Sequence, residues 1–140
     1  MTVSLAQRIT QLSAAAALLT TLVIGIYMAR PWTDTTGYTG VADYLGLIFF
    51  LAIAITPYIY LIDRARRQAP SITVFIRLAA ALLICGSGIF ALVDNAFVNV
   101  DAQGGLSFAV LPFYQWLIIA VFEALGRFLG RPSERAGRTK

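Results

Sequence analysis

Apolar positions along this chain gather into four long runs, Ile9–Ala29, Tyr44–Ile62, Ile72–Val93 and Phe108–Leu129, divided by short polar stretches. Each run is close to the ~20 residues with which an α-helix crosses ~30 Å of hydrocarbon. Apolar side chains occupy every face of each run and no strict alternation runs through them, which predicts spanning helices rather than barrel strands. The expected fold is therefore all-α: an integral membrane four-transmembrane-helix bundle, one domain over residues 1–130, with a basic tail over residues 131–140. Residues 1–29 have the outline of a signal peptide. The apolar stretch is too long for one, however, and Tyr27-Met28-Ala29 lacks the small residue that cleavage requires two positions earlier, so a retained helix is expected.

Charge sets the expected orientation. Arg8 precedes the first run, Arg64, Arg66 and Arg67 separate the second from the third, and Arg127, Arg131, Arg135, Arg138 and Lys140 lie at or beyond the end of the fourth. The other two connections hold Arg30 alone among basic residues, beside Asp34, Asp43, Asp94 and Asp101. By the positive-inside rule both termini and the middle loop face the cytoplasm (N-in/C-in), in a membrane expected to be a bacterial cytoplasmic (inner) membrane. Arg64, Arg66, Arg67, Arg131, Arg135, Arg138 and Lys140 then meet the anionic inner leaflet, each contributing ~1 kcal/mol of attraction. Topology explains the basic pI of about 9.6, so no nucleic-acid partner is expected.

Composition narrows the function. Hydrophobic residues make up 59% of the 140 residues and charged ones 13%, with no histidine and one cysteine, and the mean hydropathy is +0.76. The missing histidines exclude His-ligated haem, His-containing zinc sites and a Ser-His-Asp triad. Cys85 has no partner for a disulfide, and a thiol amid apolar side chains is inert. No cofactor, metal or catalytic constellation is expected, and the aspartates of the outer connections read as solvated loop charges.

Several local features carry structural or functional expectations. Ser13, Ala17, Thr21 and Gly25 recur every four residues, a strip of small side chains that suits close helix packing, within the chain or against a second copy. Leu18 and Leu22 should matter less than the strip to packing if they face lipid. Pro57 and Pro112 remove helical hydrogen bonds, and the Thr56 hydroxyl could compensate for the first. Trp32, Tyr38, Tyr44, Tyr58 and Tyr60 fall where aromatic belts anchor helices at membrane boundaries. Gln115 lies deep in the fourth run and needs a hydrogen-bonding partner, either an ordinary interhelical one or a polar site.

Arg77 and Glu123 lie within the runs, where charge is costly and is a functional candidate by default. Each stands five or six positions from the same end of its helix, roughly 8 Å deep. Antiparallel neighbours bring such residues together, with Arg127 as a competing partner one turn from Glu123. Two functions remain. One is a non-enzymatic protein acting through helix–helix contacts, as an accessory or assembly subunit or an immunity-type protein for another membrane protein. The other is a small homo-oligomeric transporter or channel with Glu123 or Gln115 in its path.

Overall fold

The computed structural model describes residues 2–29, 40–98 and 104–130. They form α1 (Val3–Ala29), α2 (Val41–Arg66), α3 (Ser71–Val93) and α4 (Gly104–Leu129), with one turn of π-helix, Asp94–Val98, continuing α3. All four helices are long and apolar enough to span a membrane, the mark of a membrane protein.

Local chemistry shifts the helix ends away from the hydropathy boundaries. Helix α1 begins six residues before its apolar run, because the Thr2 hydroxyl accepts the Leu5 N–H at 3.4 Å and caps the first turn. Helix α2 continues past Ile62 to Arg66, where Asp63 and Arg67 pair at 2.8 Å across one turn. Pro70, extended at ψ 146°, then stands at the N-cap of α3. Within α2, Pro57 lacks the N–H that would bond the Ile53 carbonyl, and the Thr56 hydroxyl donates to that carbonyl at 2.8 Å instead.

Helix α1 packs against α2 and α3, and α4 packs against α3 and α2, so the order around the bundle is α1, α2, α4, α3. Helices α2 and α3, although consecutive in the chain, stand diagonally and touch sparsely. Small side chains dominate where the helices meet: Ala14 and Ala17 of α1 pack with Ala80, Ala81, Ile84 and Cys85 of α3, Tyr58 and Leu61 of α2, and Ile119 of α4. Large apolar side chains point outward, among them Leu12, Phe49, Phe90, Phe113 and Phe128. This small-inside, large-outside distribution suits lipid, where close approach of backbones replaces the expulsion of water as the source of helix association.

The buried stripe of α1 runs through Ala6, Thr10, Ala14, Ala17, Thr21 and Ile24, with Gly25 beside it. Of the small-residue strip, Ala17, Thr21 and Gly25 are buried within the chain and Ser13 is half-buried. A four-residue spacing drifts around a helix of 3.6 residues per turn, which moves the stripe from Ser13 to Ala14. Leu18 is not turned fully outward. It packs against the core, Leu22 is half-buried, and the outward residues are Leu12, Leu19 and Val23.

Candidate functional site

Two polar clusters occupy the bundle. The first lies at the loop end, where the α2–α3 connection stands beside the start of α1 and the end of α4. Glu123 of α4 meets Arg77 of α3, whose Nε donates to Oε1 at 3.0 Å. Arg64 of α2 approaches the same oxygen at 3.9 Å. Arg77 Nη1 also donates to the Arg64 backbone carbonyl at 3.2 Å, tying α3 to the last turn of α2. The Arg77 and Glu123 side chains are 14% and 13% exposed, so the charges are largely removed from solvent and must satisfy one another. The structure thus brings Arg77 and Glu123 together and adds Arg64 to them.

Arg64 is the member that reading the sequence as runs and loops missed. With the second run ending at Ile62, Arg64 counted as a loop cation, whereas the continuing helix carries it onto the face of Tyr60. Arg64 Nε donates to the Tyr60 hydroxyl at 2.9 Å. The four-residue spacing of Tyr60 and Arg64 was the available signal. Tyr60 in turn lies 5.2 Å from the Trp116 ring, and Trp116 Nε1 donates to the Thr56 hydroxyl at 3.1 Å. A series of polar and aromatic contacts therefore follows the α2–α4 seam from Glu123 to Thr56.

Above Glu123 the loop end opens into a groove of about 470 Å³, lined by Arg64, Arg77, Arg127, Pro70 and Thr73 among others. Arg127 is exposed and makes no ion pair among the described residues, so the expected competition with Arg77 for Glu123 is taken by Arg64. The Thr73 hydroxyl donates to the Gly126 carbonyl at 3.2 Å, closing α3 against α4 below the groove. Of the other basic residues, Arg66 at the end of α2 and Arg67 just beyond it are exposed. Arg131, Arg135, Arg138 and Lys140 lie outside the described residues, as do Arg30, Trp32, Asp34, Tyr38 and Asp101.

The second cluster is uncharged and lies mid-bundle. Gln115 of α4 is 1% exposed, and its Nε2 donates to the Tyr58 hydroxyl of α2 at 2.9 Å. Tyr58, expected in a boundary belt, is itself 1% exposed: its position on the inner face of α2, and not its distance along the helix, decides its surroundings. Gly88 of α3 admits the pair, since a Cβ there would stand 2.7 Å from Gln115 Nε2 and closer still to the Tyr58 hydroxyl. Thr21 of α1 completes the cluster. Its hydroxyl and Gln115 Oε1 are buried without a hydrogen-bond partner among the described residues. Both residues line a cavity of about 10 Å³ together with Tyr58 and Pro112. All four helices thus meet around the Tyr58–Gln115 hydrogen bond, α3 through Gly88 and α1 through Thr21.

Cys85 is buried in the apolar core, and the Ser87 hydroxyl is occupied by the Leu83 carbonyl at 2.6 Å. Compared with protein-family models, curated proteins and solved structures, the chain matches none of them. The functional reading therefore rests on this geometry.

Proposed function

We propose that this chain is a non-enzymatic integral membrane protein that acts by lateral contact with another membrane protein, as an accessory or assembly subunit or as an immunity-type protein that blocks a toxin within the bilayer. The observation that carries the reading is the direction of its polar groups. Gln115 turns inward to Tyr58 and Glu123 to Arg77, while the outward surface is dominated by residues such as Leu83, Phe90, Phe113 and Leu117. The mid-bundle cavity of about 10 Å³ is room for roughly one water molecule. In this reading the protein lies in a bacterial cytoplasmic membrane with both termini and the loop end inside, on the basic asymmetry of its connections.

A homo-oligomeric transporter or channel is the second reading, favoured by the position of Glu123 at the floor of a groove open at the loop end. Photo-crosslinking separates the two. A crosslinking residue placed at Phe90 or Phe113 in intact cells should join the chain to one discrete companion of different mass, and the purified chain should give no solute flux in proteoliposomes. Adducts at twice the mass of the chain, together with flux, would establish transport by a homo-oligomer instead.

A further inference from the structure

We propose that the groove at the loop end is a binding site for one phosphate group, that of an anionic phospholipid, held by Arg127 and Arg77 with Arg64 behind them. This rests on the chain being in a membrane, but not on its having a protein partner.

The charge within the groove is unbalanced. Three guanidinium groups line it with a single carboxylate, and Arg64 and Arg77 both turn to the same carboxylate oxygen. Two positive charges remain over: Arg127 is exposed, while Arg64 and Arg77 are partly buried, and beside such partly desolvated groups Coulomb attraction for an anion is stronger than at an open surface. Donors remain as well. Arg77 uses Nε and Nη1, leaving Nη2, and none of the Arg127 donors has a partner among the described residues. A planar guanidinium offers paired N–H groups at the spacing of phosphate oxygens, which makes arginine the favoured residue for this ligand.

The backbone adds to the same field. Helix α3 begins at the groove, and Pro70 at its N-cap provides no side-chain acceptor for the first N–H groups. The positive end of the helix dipole therefore adds to the arginines.

Two features select a lipid over free phosphate. The groove lies at the helix ends, the level of headgroups for a bundle that spans the bilayer. Beside its lining residues Thr73 and Arg127 stand Ile72 and Phe128, 45% and 73% exposed, which offer apolar surface to acyl chains. Basic pockets between helices at this level suit anionic headgroups.

The test uses the full chain in nanodiscs of mixed phosphatidylglycerol and phosphatidylcholine, with native mass spectrometry of the lipid retained on release. One phosphatidylglycerol per chain should be retained in preference to phosphatidylcholine. Arg127→Gln should weaken that retention about tenfold, whereas Arg66→Gln, an equal charge loss at an exposed position off the groove, should leave it within about twofold. Equal losses from the two variants, or equal retention of both lipids, would overturn the site in favour of diffuse surface attraction. Displacement of the lipid by millimolar inorganic phosphate would overturn the choice of lipid as the source. A chain that failed to enter nanodiscs would contradict membrane residence itself, a different outcome from entering them without selecting a lipid.

Discussion

The loop-end cluster holds Glu123 among three arginines, whereas the mid-bundle cluster joins an amide, a phenol and a hydroxyl with no formal charge. The difference follows depth. An uncompensated charge at the middle of a bilayer costs several kcal/mol, and an amide–phenol hydrogen bond avoids that cost. Near the helix ends, carboxylate and guanidinium groups can share a groove with headgroups and water. The two clusters also make different demands on the backbone. Long side chains of Arg64 and Arg77 reach Glu123 from a distance, but the contact between Tyr58 and Gln115 requires Gly88 at the point of closest approach.

If this contrast is correct, the largest loss comes from breaking the charged cluster. Arg77→Leu leaves Glu123 largely buried with only Arg64 at 3.9 Å, and unfolding measured in mild detergent should show a loss of roughly 3 kcal/mol. A loss below ~1 kcal/mol would mean that water or Arg64 replaces Arg77 freely.

The mid-bundle cluster should respond to bulk before it responds to polarity. Gly88→Ala drives a methyl group into the Tyr58 hydroxyl and should cost about 1–3 kcal/mol by overpacking. Tyr58→Phe keeps the ring and leaves Gln115 Nε2 without its acceptor, a loss of roughly 1–2 kcal/mol by thermal unfolding. No effect of Gly88→Ala would show that α3 does not press on the pair.

The smallest effect lies outside both clusters. Asp63 and Arg67 are 52% and 61% exposed, so Asp63→Asn should change stability by only ~0.3–0.5 kcal/mol, and less in high salt.

What the sequence made legible, and what it did not, divides along the same lines. Continuous apolar runs announce helices because lipid leaves the backbone few other ways to satisfy its hydrogen bonds. Thr56 beside Pro57 was readable too, since the compensation is local. The ends of α1 and α2 were not, because Thr2 and the Asp63–Arg67 pair extend helices through polar residues that a hydropathy boundary excludes. The burial of Tyr58 and the meeting of Gln115 with Gly88 depend on which helices stand side by side. The order α1, α2, α4, α3 is written in no single segment. Arg64 entered the loop-end cluster only because α2 outlasts its apolar run.

The central claim is that the embedded charges serve the bundle as one structural unit. Its most direct test is a double-mutant cycle on Arg77 and Glu123, with unfolding free energies measured for the parent, Arg77→Leu, Glu123→Leu and the double variant. The account predicts that the double variant recovers most of the loss caused by Arg77→Leu, with a coupling of roughly 2 kcal/mol, because removing both members leaves no buried charge unpaired. Losses that simply add would show that the two residues act independently, and the claim would fail.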